Sequence, residues 1–217
     1  MRIFLDTANI DQIKQAAKLG VISGVTTNPS LVSQEGAIDY EATIKEISSI
    51  IPGPISTEVT VEGVEPMIEQ ARQISTWASN VVVKIPSTAE GLEVITALTK
   101  ENIKVNCTLC FSLNQALLAA LAGAVYVSPF VGRLDDIGHN GIQLVKEIID
   151  VFNSYSEIHT EVIAASVRHP EHCVAAAKVG THIATVPYNV LMQMIRHPLT
   201  DIGVSRFLSD WQRASQG

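Results

Sequence analysis

Eight short runs rich in Val, Ile and Ala recur along the chain, at residues 3–6, 24–28, 55–59, 81–84, 105–109, 126–131, 162–166 and 183–187. These runs are β-branched and continuous rather than alternating. A strand with one face in water alternates; a strand covered on both faces does not, and such strands are parallel and packed beneath helices. The stretches between them have helical spacing. Val64, Ile68, Ala71 and Ile74 fall on one helix face, as do Leu92, Ile95 and Leu98. Eight strand-plus-helix units predict an α/β fold, a closed (β/α)8 TIM barrel. A doubly wound open sheet is the alternative, but it usually needs fewer strands, and no GxGxxG follows any run. Residues 198–217 follow the eighth unit and predict an additional C-terminal helix, with Val204, Phe207, Leu208 and Trp211 on one face. A chain of 217 residues is below the ~250 typical of such barrels, so short loops and one domain over residues 1–217 are expected.

Charge and patterning exclude several function classes. The net charge is −7 and no Lys/Arg-rich run exists, so neither nucleic acid nor an anionic membrane is an expected partner. Residues 105–132 carry no charge, yet Asn106, Thr108, Ser112, Asn114, Gln115, Ser128 and Pro129 break that stretch into two soluble segments. The chain opens MRIFLDTANI, without the pattern of a signal or transit peptide. Its three cysteines suit a reducing cytoplasm, where the protein is expected to reside. Cys107 and Cys110 form a CxxC, but within an apolar strand pattern rather than at a helix start, so they read as small core residues. His169 and His172 are separated by Pro170, no HExxH occurs, and the pair reads as solvated rather than as a metal site.

The strongest chemical signal is Lys84, in Asn80-Val-Val-Val-Lys-Ile-Pro86. A lysine carried into an apolar strand is costly to keep charged, and a neutral amine attacks carbonyl carbons to form a Schiff base. An edge lysine leaving for solvent, or a structural ion pair, would give the same segment. The surrounding pattern favours chemistry. Polar residues cluster near the C-terminal ends of the runs: Asp6, Thr26, Asn28, Glu58, Lys84, Asn106, Thr108, Ser128 and Ser166. In a barrel those ends open onto one mouth, where active sites lie. Carboxylates from the first and third strands would there share a cavity with the lysine, supplying the proton transfers of carbinolamine formation and carbon–carbon cleavage. Arg133, Ser166 and Arg168 at the sixth and seventh strand ends make a phosphate clamp, which points to a phosphorylated substrate.

Several motifs in order resemble the transaldolase family, in its short single-domain branch that also contains the fructose-6-phosphate aldolases. They are Leu5-Asp-Thr-Ala8, Gly24-Val-Thr-Thr-Asn-Pro-Ser30, Val83-Lys-Ile-Pro86 with Glu90-Gly91, Asn106-Cys-Thr-Leu109 with Phe111-Ser112, Ser128-Pro-Phe-Val-Gly-Arg133 with Asp135-Asp136, and Pro198-Leu-Thr-Asp201. The resemblance covers essentially the whole chain. It implies that Lys84 forms the Schiff base with a ketose and that Asp6 handles the proton of the C4 hydroxyl. It further implies that Glu58 and Thr108 position a catalytic water. Asn28, Asn106 and Ser128 match residues that hydrogen-bond the dihydroxyacetone moiety, and Arg133, Ser166 and Arg168 match the phosphate site; Thr26 and Phe130 are expected beside them as further substrate-binding residues. Neither a metal nor an organic cofactor is implied.

The reaction so implied moves dihydroxyacetone from sedoheptulose 7-phosphate to glyceraldehyde 3-phosphate, giving erythrose 4-phosphate and fructose 6-phosphate in the pentose phosphate pathway. A fructose-6-phosphate aldolase is the alternative, and a sugar-phosphate binding barrel without catalysis a distant one. The aldolase relatives typically carry Gln at the place of Glu58 and Tyr at the place of Phe130, so both positions favour the transferase. The resemblance also implies a homo-oligomer, a pentamer or decamer, with the C-terminal helix of residues 198–217 at subunit contacts.

Overall fold

The protein is described by a computed structural model over residues 1–36 and 39–215. Eight parallel strands close in sequence order into a barrel: β1 (Arg2–Asp6), β2 (Ile22–Thr26), β3 (Ile55–Glu58), β4 (Val81–Pro86), β5 (Val105–Cys110), β6 (Tyr126–Pro129), β7 (Glu161–Ala164) and β8 (Ile183–Pro187). The helices are α1 (Ile10–Lys18), α2 (Pro29–Gln34), α3 (Tyr40–Ile50), α4 (Val64–Thr76), α5 (Ala89–Lys100), α6 (Leu113–Leu121), α7 (Val131–Asp136), α8 (Gly141–Phe152), α9 (Pro170–Lys178), α10 (Tyr188–Ile195) and α11 (Pro198–Ala214). The expected (β/α)8 TIM barrel with an additional C-terminal helix is therefore the observed fold. That helix ends at Ala214, and residues 216–217 of the expected segment lie outside the described residues.

Two apolar layers hold the barrel. The larger lies between the strands and the surrounding helices, where Met67, Ala71 and Ile74 of α4 and Val94, Ile95 and Leu98 of α5 are buried. The smaller consists of Phe4, Val82, Tyr126, Ile163 and Ile183. Phe4, Val82, Tyr126 and Ile183 stand two residues before Asp6, Lys84, Ser128 and Thr185, on the same face of their strands. The barrel interior is thus closed by apolar side chains below and polar ones above, toward the C-terminal mouth. Helix α11 differs from the others in having no buried residue, and Phe207 and Trp211 on it are each 74% exposed.

Three runs stop two residues earlier than their apolar sequence suggests. β2 ends at Thr26, and Asn28 instead caps α2, its side-chain oxygen accepting from Leu31 N at 3.0 Å, ahead of Pro29 in the first turn. β6 ends at Pro129, a residue with no N–H for the ladder, and Phe130 becomes the N-cap of the short helix α7. β7 ends at Ala164, and Ser166 takes a left-handed conformation with φ 58°. Cys107 and Cys110 are buried and free within β5, and burial pushes their thiols up to about 11 and about 12. Among the described residues no helix is long and apolar enough to cross a membrane.

Candidate active site

Strand register sets the site. Glu58 of β3 lies opposite Lys84 of β4, which lies opposite Asn106 of β5; Asp6 of β1 lies opposite Thr26 of β2. At the mouth these side chains border a cavity of about 200 Å³. Ten of the twelve residues singled out in the sequence line it: Asp6, Thr26, Asn28, Lys84, Thr108, Ser128, Phe130, Arg133, Ser166 and Arg168. The other two sit one contact away. Glu58 Oε2 is 3.0 Å from Lys84 Nζ, and Asn106 accepts a hydrogen bond from the Ser128 hydroxyl at 2.7 Å.

Lys84 is almost fully enclosed, its side chain 8% exposed, with Glu58 at 17%. The amine also donates to the backbone carbonyl of Thr27 at 3.1 Å. A bare amine in an apolar strand is therefore not what the fold provides. The carboxylate at 3.0 Å stabilises the ammonium, and it offers that ammonium a proton acceptor within direct reach. On β2, one residue before Thr27, Thr26 donates to Asp6 Oδ1 at 2.7 Å and lies 2.5 Å from the Thr185 hydroxyl. The single Thr26 proton goes to the carboxylate, so Thr185 is the donor of the second bond. Burial holds the Asp6 carboxyl above the usual carboxylate range, more than the Thr26 bond and the Lys84 charge pull it down, and the Glu58 charge adds to the rise. Asn106 donates to Ser56 at 3.1 Å, leaving its oxygen for Ser128. The Thr108 hydroxyl lines the cavity, fully buried, with no hydrogen-bond partner among the described residues. It sits within a chain distortion: Leu109, the next residue, has φ 55°, and the β5–β6 register shifts between Cys107 and Cys110.

The basic wall is built by α7 and the turn after β7. Arg133 stacks over the Phe130 ring with its guanidinium carbon 4.9 Å from the centroid. Arg168 pairs with Asp136 at 2.9 Å. Gly132 N donates to Ser166 O at 3.0 Å, and a Cβ on Gly132 would lie 2.3 Å from that oxygen. Only glycine lets the two segments approach so closely.

Some features were not singled out from the sequence. Thr185 and Pro187 of β8 line the cavity; Thr185 interrupts an otherwise apolar run, a signal that was present. Tyr40 of α3 had no such signal. Its hydroxyl accepts from Glu58 N at 3.1 Å and lies 3.5 Å from Thr27 Oγ1, tying together the two strand ends that hold Lys84. His172 is a correction: it is buried rather than solvated, because its ring is enclosed by α7 and the turn at residues 166–168.

The family profile described as Transaldolase/Fructose-6-phosphate aldolase matches residues 3–216. A probable transaldolase of Dehalococcoides mccartyi is 60% identical over 213 residues, covering 98% of each chain. One from a Thermoanaerobacter species is 59% identical over 214 residues, covering 99% of this chain and 98% of its own. Among solved structures, a thiamine phosphate pyrophosphorylase from Pyrococcus furiosus superposes with a TM-score of 0.59 at 14% identity, covering 86% of this chain and 85% of its own. At that identity the likeness is one of fold.

Proposed function

Because the chain belongs to the transaldolase/fructose-6-phosphate aldolase family, we propose that it is a transaldolase. It would carry dihydroxyacetone on Lys84 from sedoheptulose 7-phosphate to glyceraldehyde 3-phosphate. The observation that carries this reading is the enclosed Lys84 amine 3.0 Å from Glu58, in one cavity with the Asp6 carboxyl and two arginines. Glu58 takes the ammonium proton, and the freed amine attacks C2 of the ketose. The carbinolamine loses its hydroxyl as water, leaving an iminium. Glu58 and the Thr108 hydroxyl hold the water through which these protons move. Asp6 then removes the C4 hydroxyl proton, the C3–C4 bond breaks, and its electron pair passes into the iminium to give an enamine. Erythrose 4-phosphate leaves. The enamine carbon adds to the incoming aldehyde, Asp6 returns the proton to the new hydroxyl, and hydrolysis frees fructose 6-phosphate and Lys84.

Arg133, Ser166 and Arg168 would hold the phosphate common to donor and acceptor. Arg133→Ala and Arg168→Ala are each expected to raise KM for phosphorylated sugars by roughly one to two orders of magnitude, the loss of one charge-assisted contact. Capture of unphosphorylated dihydroxyacetone on Lys84 should change far less. Normal KM values in both variants would place the phosphate elsewhere.

Phe130 supports transfer over simple cleavage. It carries no hydroxyl to hold water at the cavity, and its ring packs edge-on against Phe111 with centroids 5.5 Å apart. The enamine is left to wait for an aldehyde. Assayed on fructose 6-phosphate with and without erythrose 4-phosphate, the protein should release little free dihydroxyacetone without acceptor. Phe130→Tyr should release more and transfer less. Cleavage that rivals transfer in the unmodified protein would instead favour the aldolase reading. The C-terminal helix, with its exposed Phe207 and Trp211, is the segment proposed to lie at subunit contacts of a homo-oligomer.

A further inference from the structure

Resting on the reading of Arg133 and Arg168 as the phosphate arms, we infer that His172 and Asp135 form a positioning pair that sets affinity for the substrate phosphate by holding the backbone of the turn at residues 166–168. The Arg168 N–H donates to His172 Nδ1 at 3.2 Å. That nitrogen is therefore the unprotonated one, and the proton of the neutral ring sits on Nε2, 2.9 Å from Asp135 Oδ2. The second Asp135 oxygen accepts from Gly141 N at 2.9 Å. Asp135, an acceptor at both oxygens, thus selects the ring tautomer that can receive Arg168. Burial, and then the neighbouring His169 ring 3.8 Å away, hold the His172 pKa below its ordinary value against the pull of Asp135, which keeps the ring neutral.

The placement joins the phosphate arms into one unit. Asp135 holds the Arg168 backbone through His172, and its neighbour Asp136 holds the Arg168 guanidinium at 2.9 Å. Both carboxylates belong to α7, which also carries Arg133. Between the arms, Ser166 is left-handed at φ 58°, a conformation that persists in a residue with a Cβ only when its surroundings hold it. Gly132 N holds it from one side and the Arg168–His172 bond from the other. His172 is also the third residue of α9, so the same bond could serve only to cap that helix. A cap would move stability and leave KM alone.

Asp135→Asn separates the two, because it deletes no heavy atom. Its amide presents a donor to His172 Nε2, driving the ring proton to Nδ1, where it opposes the Arg168 N–H; a flipped amide would oppose Gly141 N–H instead. KM for fructose 6-phosphate is expected to rise about three- to tenfold, the worth of one hydrogen bond, with kcat little changed. Borohydride trapping of dihydroxyacetone on Lys84 should stay at the unmodified level. His172→Ala should behave alike, and His172→Asn, whose oxygen can replace Nδ1 as acceptor, should recover most of the affinity. Arg168→Ala reports on the underlying reading: if it leaves KM unmoved, the phosphate assignment fails. If Arg168→Ala raises KM while Asp135→Asn and His172→Ala lower only the melting temperature, the pair is a cap and the inference is overturned. Should His172→Ala not fold, Asp135→Asn decides alone.

Discussion

Replacing Lys84 by alanine is expected to lower transfer by roughly 10⁴-fold or more, to the background of the assay. Among the groups around the cavity, only the lysine amine can form an iminium with a ketose, so no neighbour can substitute for it. The same change strips Glu58 of its cation. An enclosed carboxylate without its partner is costly, so the melting temperature should also fall at neutral pH. Adding Glu58→Gln removes the stranded charge. The double variant should regain much of the melting temperature and none of the activity, which separates the chemical role of Lys84 from its structural one. A single Lys84→Ala variant that keeps measurable turnover would refute the covalent role.

Asp6→Asn is expected to lower kcat by about 10²–10⁴-fold, the range for loss of a positioned general acid–base group. Asparagine still accepts from Thr26, so the Thr185–Thr26 hydrogen-bond chain survives while the proton carrier is gone. The pH dependence follows from the raised Asp6 carboxyl. Cleavage needs the carboxylate, so activity should fall as pH drops through that raised value, above the usual carboxylate range, and the residual activity of Asp6→Asn should lack this limb. Stability moves the opposite way. The folded state binds the Asp6 proton more tightly than the unfolded chain does. Between the ordinary value and the raised one the native protein holds more protons, and stability falls as pH rises through that window. Asp6→Asn should therefore melt above the unmodified protein at neutral pH, with the gap closing below about pH 4. A variant that is both active and less stable would contradict the assignment.

The barrel was legible because its evidence is redundant. Continuous β-branched runs on eight segments leave few other ways to bury them, and β8 was read to its observed bounds, Ile183–Pro187. Lys84, Asp6 and Thr26 were legible because a polar residue inside such a run has no apolar explanation. The positions just past the strands were harder to place. Asn28, Phe130 and Ser166 sit in a cap, a short helix and a left-handed turn, and hydrophobic periodicity says nothing of these. Tyr40 and His172 lie on helices, each reaching back to the mouth by one hydrogen bond to a backbone N–H, of Glu58 and of Arg168. Such a contact depends on how the helix packs against the barrel and leaves no local pattern. An ion pair at Lys84 was one reading of the sequence, but its partner was not fixed there: register between β3 and β4 sets it, and register is a property of two strands.

The covalent role of Lys84 is tested most directly by reducing the enzyme with borohydride in the presence of fructose 6-phosphate and mapping the product by mass. The expected result is one added dihydroxyacetone unit, reduced onto the peptide that contains Lys84, absent without sugar and absent in Lys84→Ala. No adduct under turnover conditions, or an adduct at another residue such as Lys104, would contradict it.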